Sequence, residues 1–350
     1  MSIQQLDAQP AAATAPAPRP SLLRAEFDRL MSRRFVQIVT VLIIAAFAVT
    51  VAVTMAGSHQ PSATEWASAT EQARTNNQVN REIYENCLAS KLPGATALER
   101  AQHPGECSFV EQFPEDHLYD TYVFRTSIRP LVGFLAAYLA FFGFLIAATF
   151  AGAELSSGGA VNLLLWRPQR MRVLGAKFAV VLGSVGVFSV VFSAVYVGTF
   201  YGIAKATGYV GSTGAAFMGD LALLTGRGVG LALVVTALSF GVAVIGRHTA
   251  AALGLLTAYV VVWEGGARLI LEVLNARLPE PWFLSTYVGA WMLGDLQFYD
   301  SYATCYTDNG GCYEPDYFHV YWWHAAIIFA VLLAAVVGGA FAVFRKRDIT

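Results

Sequence analysis

The chain has 350 residues, of which 56% are hydrophobic and 13% charged, with a formal net charge of -1. An ordinary soluble domain carries about 25% charged residues. Half that content, together with recurrent apolar runs long enough to cross a bilayer, excludes a soluble globular protein and points to an all-α polytopic membrane protein. Four cysteines without a CxxC spacing offer neither a zinc nor a thioredoxin-like site.

Residues 8–20, AQPAAATAPAPRP, hold too little apolar bulk to bury a core, and 1–20 reads as a disordered tail. Ser21 is placed to cap a helix over 21–34. Leu22, Leu23, Phe27, Leu30 and Met31 fall on one of its faces, and Arg24, Asp28, Arg29 and Ser32 on the other. Such an amphipathic helix, set directly before a spanning segment, suits the membrane interface. The first span is 35–57, uncharged, and too long and too far into the chain for a cleaved signal peptide. Residues 58–128 are polar and acidic and contain Cys87 and Cys107. A helical stretch there ends at Pro93-Gly94.

The second span, 130–153, leads into a basic loop over 154–177. The third span is 178–204. A Gly-rich link holding Asp220 precedes the fourth, 228–246, which ends at Arg247-His248. The fifth, 249–274, carries Glu264 and Arg268. Residues 275–319 are polar, rich in tyrosine, and contain Cys305 and Cys312. Within them 281–296, PWFLSTYVGAWMLGDL, is apolar but too short to span and reads as a re-entrant or surface helix. The sixth span is 320–344, and the tail is 345–350.

Six spans place both termini on one side. That side, with the 154–177 loop and Arg247, holds 13 of the 23 Lys/Arg residues but only five of the 24 acidic ones. The bias of Lys/Arg toward the cytoplasm puts termini and loop inside. All four cysteines then fall outside, two in each outer segment, where disulfides persist. Pairs Cys87–Cys107 and Cys305–Cys312 each close a local loop. Four cysteines allow three connectivities, so the crossed pairings and free thiols stay open.

Ionisable groups within spans are functional candidates. Glu264 and Arg268 lie four apart on one helix face and can pair. Glu264 sits about 22 Å along its helix from Thr249, which suits either a structural ion pair near the outer interface or the polar lining of an exit gate. His324, beside Trp322 and Trp323, belongs to an interfacial aromatic belt. Tyr299, Tyr302, Tyr306, Tyr313 and Tyr317 either pack a small stapled lobe or line a ligand site. Enzyme readings fare poorly. There is no HExxH, and the Gly183–Gly186 stretch is not GxSxG. Ser184 and His324 fall at opposite sides of the bilayer, too far apart for a dyad.

The 154–177 loop is unusual for its apolar cluster, Val161 and Leu163–Trp166, followed by Pro168 and a basic stretch. An apolar-plus-basic segment at the membrane face calls for lipid or a protein partner. Four stretches carry a resemblance: RAEFDRLMSRR before the first span, AELSSGGAVNLLLWRPQRMRVLGAK between the second and third, GRHTAAALGLL opening the fifth, and FRKRDIT at the end. In that order, the chain resembles a permease subunit of type-2 exporter class ATP-binding-cassette (ABC) transporters. Its outer segment of about 70 residues between spans one and two is longer than in the simplest such permeases.

The resemblance implies an interfacial elbow helix at the N-terminus and a coupling helix in the 154–177 loop. The coupling residues it implies are Glu154, Leu163, Leu164, Trp166, Arg167, Pro168 and Arg170. It implies a second permease copy or paralogue, an ABC ATPase subunit that binds ATP and Mg, and contact with membrane lipid. No cofactor and no metal is expected in this chain, which lacks GxxxxGK[ST], and no nucleic acid. The competing reading is a non-transporting sensor or assembly scaffold acting through its outer segments. The expected location is a cell membrane, multi-pass, with both termini cytoplasmic, the inner membrane of a bacterium.

Overall fold

The computed structural model describes residues 21–94, 96, 107–156, 169–276, 278–299 and 317–346. Among these, six helices are long and apolar enough to cross a membrane. A short helix α1 (Leu22–Met31) precedes the first span α2 (Arg34–Ala56). The polar helix α3 (Ala63–Ser90) follows, then the spans α4 (Phe124–Ser156), α5 (Arg170–Thr207) and α6 (Ala215–Gly246). The fifth span, α7, is Thr249–Val273. A short helix α8 (Leu284–Leu293), two strands β1 (Asp295–Tyr299) and β2 (Tyr317–Tyr321), and the last span α9 (Trp322–Lys346) complete the order.

Helices α4 and α6 form the centre. They make the most extensive contact in the protein, and each buries 56% of its most apolar stretch, against 11% for α2 and α9 and 6% for α7. The inner pair is held by small and hydroxyl residues. Ser239 Oγ donates to Phe144 O at 2.8 Å, and a side chain at Gly143 would collide with Thr236. Close backbone approach through Gly and Ser is the usual way spans associate, since lipid offers no hydrophobic drive between them.

The helices overrun the apolar segments read from the sequence. α4 starts six residues before Pro130, α5 starts at Arg170, and α6 starts at Ala215, so Asp220 lies within a helix and not in a link. Hydropathy marks only the hydrocarbon core, about 30 Å thick, whereas helical hydrogen bonding continues into the headgroup region. Thirty-two residues of α6 extend about 48 Å.

Two further features depart from the expected pattern. α7 is π-helical over Tyr259–Ala267, a rare widening that no apolar periodicity signals. The polar segment after it contains a hairpin: β1 pairs antiparallel with β2, Asp295 opposite Tyr321 and Tyr299 opposite Tyr317. Gly294 permits the entry, at φ +105°, a value L side chains rarely adopt.

The polar helix α3 starts with a capping box. Ser62 Oγ accepts from Glu65 N, and Glu65 Oε2 accepts from Ser62 N at 2.7 Å. A strap of backbone lies along its far half. Asn77 holds both the N–H and the carbonyl of Gln112, each at 2.8 Å, Asn80 donates to Val110 O, and Cys87 is bonded to Cys107. Cys305 and Cys312 lie outside the described residues, as do Tyr302, Tyr306 and Tyr313.

Close packing at the opposite end predicts a sharp sensitivity. A Cβ at Gly152 would lie 2.5 Å from Thr249 N, at the first residue of α7, whereas one at Gly133 meets nothing within 4 Å. Gly152→Val is expected to destabilise the protein by about 1–3 kcal/mol, and Gly133→Val by less than about 0.5 kcal/mol, read as thermal unfolding in detergent.

The cap of α3 predicts a pH optimum. His59 Nε2 lies 3.0 Å from Glu65 Oε1. The hydrogen bond to Glu65 raises the His59 pKa above 6.5, and chiefly the Ser62 backbone N–H lowers that of Glu65 from 4.5 to about 2. A raised histidine contributes fully below its ordinary pKa and is lost as pH climbs through the raised value. A depressed carboxyl contributes fully above its ordinary pKa and is lost as pH falls toward the depressed one. Hydrogen-exchange protection of the first turn of α3 is therefore expected to peak between pH 4.5 and 6.5 and to decline on both sides.

Candidate functional site

The end of the bundle that carries α1 contains a buried charge cluster. Lys177, only 7% exposed, lies in the third turn of α5. Glu26, 1% exposed, lies on α1. Lys177 Nζ donates to Glu26 Oε2 at 2.7 Å and also to Glu154 Oε2, in the last turn of α4. Arg33, between α1 and α2, donates to Glu154 Oε1 and, at 3.2 Å, to Thr149 O. The Phe150 ring lies under both cations, 4.6 Å from the Arg33 guanidinium and 4.9 Å from Lys177 Nζ. Arg29, on the exposed side, adds a third cation against Glu26 at 3.3 Å, and the aromatic face offers Arg33 and Lys177 a further favourable contact.

The local sequence explains how α1 reaches this site. Ser21 Oγ accepts from Arg24 N to start the helix, and Ser32 Oγ closes on Arg29 O. The face turned to the bundle bears Glu26 and Leu30, while Leu23, Phe27 and Met31 of the expected apolar face remain exposed. Sequence periodicity assigned no partner to Glu26, and that correction has a physical cause: a carboxylate can be buried once a cation meets it, and its cation is 151 residues away.

Glu154 and Lys177 stand on either side of the loop expected to couple. Of its residues, Glu154 and Arg170 are described. Leu163, Leu164, Trp166, Arg167 and Pro168 lie outside the described residues. Arg170 is the first residue of α5, and Arg172, one turn in, donates to Gln169 Oε1 at 2.8 Å. The stems of the loop are thus tied through the cluster to α1 and to the start of α2.

At the other end, Glu264 and Arg268 come within 3.8 Å, but Glu264 has stronger partners. Its Oε1 accepts from Tyr259 Oη at 2.7 Å and from Ser285 N at 2.9 Å, and its Oε2 accepts from Ser285 Oγ at 2.8 Å. Tyr259 Oη in turn accepts from Leu284 N. Helix α8 has no side-chain cap of its own, so the π-helical part of α7 supplies one to its free N–H groups. Arg268 reaches Ser285 Oγ at 2.9 Å and lies over the Phe283 ring. His324 stands in the first turn of α9, where its Nδ1 accepts from Tyr321 N at 3.0 Å. Among the described residues no group of His, Cys, Asp and Glu could hold a metal ion.

Six spans around an α4–α6 core, an N-terminal helix salt-bridged to the ends of two spans, and a basic loop between those ends define a helical transport-type membrane subunit. The family model described as ABC-2 family transporter protein matches residues 21–349, and the chain belongs to that family. It is a permease subunit of an ABC transporter, a class that in general works with an ATP-binding partner subunit. No curated protein matches the chain.

The cluster makes a quantitative prediction. Lys177→Met leaves Glu26 and Glu154 short of a buried cation and is expected to cost about 3–5 kcal/mol. Adding Glu26→Gln should restore part of that loss, with a coupling of at least about 1 kcal/mol in a double-mutant cycle. Arg29→Gln, on the exposed side of Glu26, should change stability by less than about 0.5 kcal/mol. Chemical unfolding in detergent of the native protein, Lys177→Met, Glu26→Gln, the double variant and Arg29→Gln measures these differences.

Proposed function

We propose that this permease is half of an ATP-driven exporter, in which the loop between α4 and α5 is seated on a separate ATPase subunit. The observation that supports this most is the position of the buried cluster. Motion imposed on the loop is delivered to Glu154 and Lys177, and from there through charged contacts to α1 and α2. A tied pair of stems transmits rigid-body displacement, where a solvated turn would absorb it. Leu163, Leu164 and Trp166 would supply buried contact with the ATPase, with Arg167 and Arg170 facing acidic groups on it and Pro168 fixing the bend. Glu154 carries the coupling into the membrane domain. ATP and Mg belong to the partner chain.

A second permease copy or a paralogue completes the path. Helix α7, the least buried span, exposes Val260, Val261 and Val262 and offers a face for it. The Glu264–Ser285–Arg268 junction is an outer gate in this reading, since it fastens a non-spanning helix to the far end of a span. Lys/Arg bias supports a topology with both termini and the loop in the cytoplasm, and in this reading α3 and the hairpin lie outside a bacterial inner membrane.

The test is docking. Arg167→Glu with Arg170→Glu is expected to leave membrane insertion intact and reduce recovery of the ATP-binding subunit on co-purification at least tenfold. Undiminished recovery would overturn the coupling assignment.

A further inference from the structure

An apolar cavity of about 790 Å³ opens beside α1, between that helix, α2 and α5. Leu23 and Phe27 of α1 border one end, and Gly183, Val187 and Val191 run along its α5 wall. Its floor includes the stacked rings of Phe142 and Phe188, 4.6 Å apart. Thr40, which also borders it, has its hydroxyl committed to Val36 O at 2.8 Å. The α5 wall extends from Ala179 to Val191, about 18 Å at 1.5 Å per residue. One leaflet of hydrocarbon is about 15 Å deep, half of a 30 Å core. The groove is therefore as long as one acyl chain of the leaflet in which α1 lies.

The rim at α1 carries a charge suited to a headgroup. Arg24 borders the cavity and is exposed. Its guanidinium makes no ion pair or hydrogen bond among the described residues, and Asp28, one turn on, does not bridge to it. The neighbouring carboxylates do not compete for Arg24, because Glu26 and Glu154 are already met by Arg29, Arg33 and Lys177. Arginine binds phosphate oxygens in bidentate fashion. We propose that this groove is a resident phospholipid site: one acyl chain lies along Val187 and Val191 and the phosphate rests on Arg24, with an anionic headgroup preferred. The bound lipid would act as a wedge that sets the distance of α1 from α5. This site is independent of ATPase docking and stands or falls separately from it.

Gly183 is suited to a blocking experiment, since a Cβ there meets nothing within 4 Å and Gly183→Phe would project into the groove. The protein, purified in dodecyl maltoside and equilibrated with phosphatidylglycerol, phosphatidylcholine or diacylglycerol, is examined by native mass spectrometry. The expected result is one retained phosphatidylglycerol, less phosphatidylcholine, and no diacylglycerol. Gly183→Phe should lower phosphatidylglycerol occupancy at least fivefold. Arg24→Gln, a surface change that spares folding, should lower it about tenfold and abolish the preference over phosphatidylcholine. The proposal is overturned if the native protein retains no phospholipid, if diacylglycerol is held as well as phosphatidylglycerol, if a non-lipid amphiphile occupies the groove instead, or if Arg24→Gln binds as the native protein does.

Discussion

The constraint on which the rest of the molecule depends is the neutralisation of Lys177 by two carboxylates from different helices. A buried ammonium without partners is strongly unfavourable near a membrane, and so is a buried carboxylate. Lys177, Glu26, Glu154 and Arg33 resolve this together. The solution requires α1 to fold back on the bundle and requires the ends of α4 and α5 to lie side by side. Apolar packing then follows around it, with Leu30, Val36 and Phe150 in one buried cluster. Hydrophobic burial alone is non-directional. The charges give this end of the bundle a defined arrangement.

The far end uses the same chemistry with a different outcome. Glu264 also accepts hydrogen bonds from a separate element, but its partners are backbone and hydroxyl groups, and what it fixes is the start of a short helix. Nearby, Ser58 Oγ donates to Thr207 O and accepts from Tyr122 N, and Phe124 N donates to Tyr209 O. The ends of α2, α4 and α5 remote from the charge cluster are thus joined by neutral hydrogen bonds, with the single ion pairs Arg125–Glu115 and Arg129–Asp220 beside them. The α1 end differs in that its ion pairs share partners, Lys177 meeting two carboxylates and Glu154 two cations.

Much of this was legible beforehand. Six long apolar runs have few alternatives in a chain of this composition, and the helical stretch before Pro93-Gly94 was announced by its content and by that breaker. What was not legible has physical reasons. Lys177 looked like one more basic residue of a loop, because its partner is on α1. Glu26 shares a short helix with residues of both kinds, and only tertiary contact decides which side is buried. The π-helical turn and the role of Glu264 as a cap for α8 likewise depend on an element 21 residues away. Hydropathy also cannot mark where a helix stops once it has left the hydrocarbon, hence the misplaced start of α6.

Gly152 and Glu154 occupy the same turn of α4. Through Gly152 that turn touches the first residue of α7, and through Glu154 it meets Arg33, at the start of α2, and Lys177 of α5. A single helical turn is therefore the junction of four of the six spans. This sets where the chain can change length over evolution. One residue inserted between Gly152 and Glu154 would swing the carboxylate about 100° around the helix axis, away from both cations. Length variation among related sequences should accordingly stop short of this turn.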